Sequence, residues 1–231
     1  LFPQDSIRLL FRDAQFDDDL PNAGLEFVHD FNDASTSEVE PLGLAKADPT
    51  SLRVCAYNVL GNGLIHPNRQ AHFERILPAL DADVYLFSEC GGTGANEVKS
   101  LLDTWLPLDD DQGWHTSKDG DLITASIWPH VQTWTELPKQ FPVLIDLPGT
   151  LGGDVLFINS HLSCCGNDAA RQDQVDAMMA WIVQNEGNLT GNTPIVYAGD
   201  LNLVGYAQQL ETLLEGDIVQ TQTYGQGGMP D

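Results

Sequence analysis

The chain has 231 residues, of which 42% are hydrophobic and 8% aromatic, which fits one globular domain with a full core and an added segment. Its 34 acidic and 10 basic residues give a net charge of −24, which argues against nucleic-acid binding through a basic groove. Cleavage of nucleic acid stays open, because divalent cations screen the approach. No run of about 18 apolar residues occurs, which predicts no transmembrane segment. An acidic surface of this kind maintains solubility, and we expect a secreted or periplasmic protein.

Residues 1–50 differ in pattern from the rest of the chain. The stretches SIRLLF and LEFVHDF predict two short strands, and turn-rich polar segments lie between and after them. We interpret 1–50 as a β-rich N-terminal extension with a linker near 33–49, and 51–231 as the main domain.

From Leu52 onward, apolar runs typical of strands alternate with apolar residues at helical spacing. The predicted strands are LRVCAYNV, DVYLFSE, LITASIW, FPVLIDL, DVLFINSH and PIVYAGDL. The four predicted helices carry, in order, Phe73, Ile76, Leu77 and Leu80; Val98, Leu101, Leu102 and Trp105; Val175, Met178, Met179 and Ile182; and Leu210, Leu213 and Leu214. Because continuous apolar strands indicate sheets covered on both faces, we expect two inner sheets with helices outside.

Four of these strands end in polar residues suited to holding a metal ion and a phosphate. Asn58 ends the first strand, Glu89 the second and His161 the fifth, while Asp200 and Asn202 follow the last. Layered α/β enzymes usually assemble their sites from the ends of several strands. Glu89 offers the carboxylate oxygens that a hard divalent cation prefers, and the Asn58 amide can orient Glu89, a metal-bound water or a phosphate oxygen.

The last two motifs suggest the groups that act on the phosphate. Asp200 and Asn202 are two residues apart, so on an extended chain they point to the same side. Gly199 allows a close approach of backbone to ligand. His161 can donate to a non-bridging oxygen and, if protonated, stabilise charge in the transition state. The structural alternatives are a solvated strand-end acid for Glu89, turn residues for the asparagines and Asp200, and a structural histidine for His161.

Together these motifs resemble the endonuclease/exonuclease/phosphatase superfamily, the DNase I-like metal-dependent phosphoesterases. The matches are Asn58, Glu89, the His161–Leu162 pair and Gly-Asp-x-Asn at 199–202, within a resemblance that runs from about residue 51 to 214. The resemblance implies a four-layer α/β sandwich of two mixed sheets flanked by helices. It also implies Mg²⁺ or Mn²⁺ held by Glu89, Asn58 and Asp200, and hydrolysis of a phosphoester, with a phosphodiester favoured.

The resemblance further implies roles for individual residues. Asp200 and Asn202 would align the attacking water, and His161 would stabilise the transition state. Arg171 and Gln174 match an Arg-x-x-Gln pair that the family often carries; a helix-start hydrogen-bond network is the favoured alternative to substrate contact. We assign Asn159, on the same strand face as His161, and Arg171 to substrate binding.

One family motif is not found in the sequence. Members usually close with a strand bearing Ser-Asp-His, whose histidine acts as general base, whereas the last histidine here is His161. We therefore expect a C-terminally incomplete domain that lacks one or more strands. A hydrolase is the first hypothesis, and a catalytically incomplete binding module of a larger secreted protein is the alternative. The substrate (a small phosphoester, a lipid headgroup or a nucleic acid) and the oligomeric state stay open.

The four cysteines form no CxxC pair, so zinc is not expected. Cys55 and Cys90 lie near the ends of neighbouring predicted strands and can be buried thiols. The adjacent Cys164 and Cys165 can form a strained vicinal disulfide or bond elsewhere. The cysteine content does not decide the redox compartment.

Overall fold

The computed structural model describes residues 46, 51–109, 112–185, 189, 193–203 and 207–226. These residues belong to one compact unit of the chain, Leu44–Asp231. The β-rich extension predicted over 1–50 lies outside the described residues, apart from Lys46, and the boundary at residue 51 stays a prediction. Among the described residues, no helix combines the length and the apolarity needed to cross a membrane.

Strands and helices alternate along the described chain. The strands are β1 (Val54–Asn58), β2 (Val84–Ser88), β3 (His115–Asp119), β4 (Leu122–Ser126), β5 (His130–Thr133), β6 (Gln140–Ile145), β7 (Val155–His161) and β8 (Ile195–Asp200). The helices are α1 (Gln70–Leu80), α2 (Ala95–Trp105), α3 (Asp168–Asn185), α4 (Gln208–Glu215) and α5 (Thr221–Tyr224), with short 3₁₀ turns at Gly63–Ile65 and Gly149–Leu151. All the strands and helices predicted from Leu52 onward are present, whereas β3, β5 and α5 were not predicted; the two strands predicted within 1–50 lie outside the described residues.

The strands form two four-stranded mixed sheets. The first has the order β1-β2-β4-β3 and the second the order β5-β6-β7-β8. In each sheet one pair is parallel, β1 with β2 and β7 with β8, and the other pairs are antiparallel. Two mixed sheets flanked by helices confirm the predicted four-layer α/β sandwich.

Three buried clusters fill the spaces between the four layers. On β2, Tyr85 and Phe87 pack against α1 and α2, while Leu86 faces the second sheet. On β7, Phe157 faces the first sheet, while Ile158 packs against α3. Because successive strand residues alternate between faces, the buried central strands must be apolar throughout, as the sequence pattern predicted.

The apolar stripe predicted for α4 is wrong, although the helix itself is present. Leu210 and Leu214 are exposed, and the buried residues of this helix include Gln209 and Thr212. Gln209 donates to the carbonyl oxygen of the first residue of α3, and Thr212 accepts from a glutamine side chain of α3. Polar contacts therefore orient α4. Ile76 of α1 is also more exposed than its position in the predicted stripe implied.

Candidate active site

The carboxyl ends of the two parallel strand pairs meet at one edge of the sandwich. Asn58, the last residue of β1, pairs with Ser88, the last residue of β2, and Glu89 follows directly. His161 and Asp200 end β7 and β8 and pair with each other. The Asn58 Nδ2 atom donates to Asp200 Oδ2 at 2.8 Å, which joins the two sheets at this edge. The fold thus brings together predicted site residues from four different strands.

Asn58 lies between the two carboxylates of the site. Its Nδ2 atom also donates to Glu89 Oε1 at 2.9 Å, and its Oδ1 atom accepts from the Leu60 backbone N–H at 2.9 Å. The second carboxylate oxygen of Glu89 accepts from the Gly61 N–H at 2.7 Å. Asn58 therefore presents N–H groups to both acids and orients them, while its predicted role as a metal ligand would require the amide to turn over.

The backbone at Glu89 adopts a strained conformation that its surroundings hold in place. Its φ is +62°, a left-handed value that non-glycine residues seldom adopt. The Glu89 carbonyl oxygen accepts from the Asn62 N–H at 2.7 Å. The Lys118 ammonium donates to three carbonyl oxygens of the following segment, residues 90–93. These contacts aim the Glu89 carboxylate across the strand ends, and the sequence had not pointed to Lys118.

Asp200 and Asn202 lie together, but not in the extended arrangement that the sequence predicted. Strand β8 ends at Asp200, and Asn202 has a φ of +49°. The Asn202 backbone N–H donates to Asp200 Oδ1 at 3.1 Å, and its side-chain amide donates to the Leu162 carbonyl oxygen at 2.9 Å. Asn202 therefore fixes the Asp200 carboxylate and ties β8 to the segment after β7.

Gly199 permits a close approach of backbone to backbone. Its φ is +146°, and a Cβ atom placed there would lie 1.9 Å from the Ser160 carbonyl oxygen of β7. The sequence predicted a close approach of backbone to ligand at this glycine, whereas the structure shows a close approach to the neighbouring strand.

His161 forms a pair with Asp121, a residue that the sequence had not singled out. The His161 Nδ1 atom lies 2.6 Å from Asp121 Oδ2, and the Lys139 ammonium lies 3.7 Å from Asp121 Oδ1. Burial alone would raise the pKa of Asp121, but the hydrogen bond from His161 and the charge of Lys139 outweigh it and lower the pKa. The ionised carboxylate is an acceptor, so Nδ1 carries a proton and Nε2 is the ring nitrogen left for a substrate.

Two residues predicted to bind substrate lie where a substrate does not reach them. Asn159 is fully buried, and its side chain donates to the carbonyl oxygens of Phe87 and Ile123, which cross-links the two sheets. Arg171 is 1% exposed and donates to two carbonyl oxygens of the segment after β7 and to Asp168. The substrate-binding assignments of Asn159 and Arg171 are therefore wrong for direct contact, because neither side chain reaches the surface.

No protein-family model and no curated protein matches the sequence. Solved structures do match the fold. Beta toxin from Staphylococcus aureus is 15% identical with a TM-score of 0.51, over 71% of this chain and 70% of the toxin. A variant of that toxin with bound magnesium ions is 17% identical with a TM-score of 0.51, over 71% and 69% of the two chains. The human Nocturnin catalytic domain with a bound sulfate anion is 14% identical with a TM-score of 0.52, over 71% and 69%.

The chain has the fold of the endonuclease/exonuclease/phosphatase superfamily. The resemblance in the strand-end motifs is thereby confirmed at the level of the fold. Within this superfamily fold, the candidate site occupies the edge where both parallel strand pairs end.

The acids at this edge fit a divalent cation with oxygen ligands. Among the described residues, neither Glu89 nor Asp200 forms an ion pair with a lysine, arginine or histidine. In that part of the chain, no group of three or more His, Cys, Asp or Glu side chains gathers around one metal position. Magnesium typically takes one or two protein carboxylates and keeps several waters. Two carboxylates that converge on one amide match this donor set, and they do not match a structural zinc site.

Proposed function

We propose that the chain is a divalent-metal-dependent phosphoester hydrolase that acts on a phosphodiester, with Mg²⁺ or Mn²⁺ as its cofactor. The observation that carries the proposal is the bridge from Asn58 to the carboxylates of Glu89 and Asp200, beside the His161–Asp121 pair. The fold supports it, since one protein of similar fold holds magnesium and another holds sulfate, a tetrahedral anion like phosphate. A secreted or periplasmic location belongs to the same proposal and is supported by the acidic composition.

Glu89 and Asp200 are the residues that would hold the cation. When bound, such an ion polarises a phosphoryl oxygen and neutralises developing negative charge. The Asn58 amide and the Gly61 N–H fix the Glu89 carboxylate, so the acid is in position before a ligand arrives. Preorganised groups of this kind need little reorganisation during the reaction.

Asp200 would align the attacking water. Its Oδ1 atom is held by the Asn202 N–H and its Oδ2 atom by Asn58, so the direction of its free lone pairs is fixed. Asn202 contributes here by positioning Asp200, because its own side-chain amide is engaged with the Leu162 carbonyl oxygen.

His161 would stabilise charge on the phosphoryl group. Asp121 holds the Nδ1 proton, which leaves Nε2 to face a phosphoryl oxygen. Nε2 donates a hydrogen bond only when the ring carries both protons, and that form also neutralises negative charge in the transition state. Asp121 is then a positioning residue. Lys139, whose side chain is 42% exposed, adds a positive charge beside this pair.

Hydrolysis of bis-(p-nitrophenyl) phosphate tests the proposal directly. We expect turnover with Mg²⁺ or Mn²⁺ that EDTA abolishes and that Glu89→Gln reduces at least about 100-fold, the order found when one electrostatic stabiliser is removed. The matched control is Glu74→Gln, on the exposed face of α1, which is expected to retain full activity. A phospholipid diester and a single-stranded DNA oligonucleotide, assayed in parallel, distinguish the substrate classes.

Two outcomes would contradict this assignment. Turnover that survives Glu89→Gln would remove Glu89 from the site. Magnesium binding seen by calorimetry, with no turnover of any of the three substrates, would favour the alternative of a binding module within a larger secreted protein.

A further inference from the structure

Two adjacent cysteines lie on the loop that joins β7 to α3. Cys164 and Cys165 are both exposed free thiols, and their Sγ atoms lie 2.7 Å apart. The cysteine pair begins three residues after His161, which belongs to the proposed active site. The hydrolase proposal does not use either thiol.

The backbone of this loop holds the two thiols together on the outside of the protein. The Cys164 carbonyl oxygen accepts from the Asn167 side chain at 2.7 Å, and the Cys165 carbonyl oxygen accepts from Arg171 at 2.8 Å. Cys165 has a φ of +66°, which is unusual for a residue with a side chain. These two hydrogen bonds engage the carbonyl oxygens of both cysteines and so hold the main chain that carries the two thiols.

The other two cysteines provide an internal contrast. Cys90 is fully buried, and burial raises its pKa to about 12. Burial also raises the pKa of Cys55. Thiol reactivity depends first on access. The hydrogen bond with Cys164 also raises the pKa of Cys165, so the contrast rests on exposure: Cys164 and Cys165 are exposed, whereas Cys55 is half-buried and Cys90 is buried. Thiol chemistry on this chain therefore concentrates at Cys164 and Cys165.

We propose that Cys164 and Cys165 form a redox-active vicinal dithiol, a modification site that small-molecule disulfides oxidise reversibly and that trivalent arsenicals bind in the reduced state. In the oxidation, the thiolate of one cysteine attacks a sulfur atom of oxidised glutathione and releases one glutathione. The neighbouring thiol loses its proton, attacks the mixed disulfide and releases the second glutathione. The protein loses two protons and two electrons as its disulfide forms, and one glutathione disulfide becomes two glutathione thiols.

The arsenical reaction depends on the same proximity. An organic arsenoxide condenses with two thiols. This condensation forms two As–S bonds and releases one water molecule. A single thiol forms one such bond and loses the second contact. Two linked contacts bind more tightly than one because the second forms within the molecule, by about 10²-fold or more.

Peptide mass spectrometry of the whole chain tests the proposal. The reduced protein is equilibrated at low concentration with mixtures of reduced and oxidised glutathione, quenched with acid, alkylated and digested. We expect the peptide that holds both cysteines to lose two hydrogen atoms, to carry no lasting glutathione adduct and to be restored by dithiothreitol. In Cys164→Ser, the glutathione adduct on Cys165 should persist because no neighbouring thiol displaces it, and phenylarsine oxide should bind about 10²-fold more weakly than to the wild type.

Cys55→Ser is the matched control and is expected to behave as the wild type. Two lasting glutathione adducts on the wild-type pair, or a disulfide from either residue to Cys90 or to a second chain, would overturn the proposal. Equal arsenoxide affinity in the wild type and Cys164→Ser would do the same. None of these readouts depends on hydrolase activity, so this proposal can fail or succeed independently of the proposed function.

Discussion

Gly199 offers a sharp test of how the active-site edge is built, because the structure leaves no room for a side chain there. Its φ of +146° lies in a region that is open essentially to glycine alone. A Cβ atom would lie 1.9 Å from the carbonyl oxygen and 2.7 Å from the nitrogen of Ser160. Ser160 and Gly199 pair within the parallel β7–β8 ladder, so the backbone must move for an alanine to fit.

The expected cost of Gly199→Ala follows from two separate effects. The unfavourable φ costs about 1–3 kcal/mol, and the forced contact adds about 1–3 kcal/mol, the usual cost of overpacking. We therefore expect a loss of about 4 kcal/mol in the free energy of unfolding, a large part of a typical domain's stability. Gly120 is the matched control, because its φ is +53° and a Cβ atom there would meet nothing within 4 Å. Gly120→Ala should cost about 1–2 kcal/mol, the conformational effect alone.

Urea unfolding followed by far-ultraviolet circular dichroism measures the free energy of unfolding of both variants under the same conditions. The prediction is a midpoint for Gly199→Ala well below that of Gly120→Ala, with similar denaturant slopes. Equal midpoints would refute the reasoning, since they would mean that β8 does not approach β7 as closely at this position as the structure has it.

Three further perturbations test the site and the core. Asp121→Asn should lower kcat about 10²-fold by releasing the His161 ring, yet add little in a His161→Ala background; additive losses would show that the two residues are not coupled. Burial lowers the pKa of His130 to about 4, below about 6.5 in the unfolded chain. The unfolded chain then binds the extra proton, so up to about 3 kcal/mol of stability should be lost as pH falls from about 6.5 to 4. Urea midpoints across that range should fall more steeply for the wild type than for His130→Gln, and parallel slopes would contradict the assignment. Asp176 is fully buried and accepts the backbone N–H groups of 219–220, so Asp176→Asn should destabilise the fold by about 2 kcal/mol in the same unfolding assay; a loss below about 0.5 kcal/mol would contradict this.

The sequence predicted the central strands because burial on both faces leaves a continuous apolar run. The missed strands β3 and β5 lie at sheet edges and read HTSKD and HVQT, with no apolar period to detect. In α4 the spacing predicted the helix but not its buried face. Polar contacts with α3 orient that helix, and a pattern of apolar residues does not register them.

Strand-end reasoning selected Asn58, Glu89, His161 and Asp200, which the structure brings to one edge of the sandwich, and it did not select Asp121 for a simple topological reason. Asp121 comes directly before β4, which runs antiparallel to β2, so the start of β4 lies at the edge where β2 ends. The order of antiparallel neighbours was needed to predict that position. The one indication in the sequence was that Asp121, a charged residue, directly precedes the apolar run LITASIW.

Asn159 is the reverse case: the sequence assigned it to the substrate site, and the structure buries it between the two sheets. The spacing placed it on the same strand face as His161, and period two does relate the two positions. The two-residue period of a strand does not show which residues lie at the open edge of the sandwich and which lie deep between its layers. Asn159 lies two residues further into the sandwich, where its amide donates hydrogen bonds to carbonyl oxygens of the opposite sheet.

The positions of the basic residues limit the conclusion that the net charge allows about nucleic-acid substrates. Among the described residues, four of the eight lysines and arginines contact segments at the candidate site: Arg69, Lys118, Lys139 and Arg171. Three of these side chains donate to backbone carbonyl oxygens, contacts that any residue can accept and that leave no pattern in the sequence. Repulsion between a polyanion and the distant acidic surface decays over about 8 Å at physiological ionic strength, whereas the exposed ammonium of Lys139 lies beside the His161–Asp121 pair of the candidate site. The charge of −24 therefore bears on the rate at which a nucleic acid approaches at low salt, and it does not by itself remove nucleic acids from the candidate substrates.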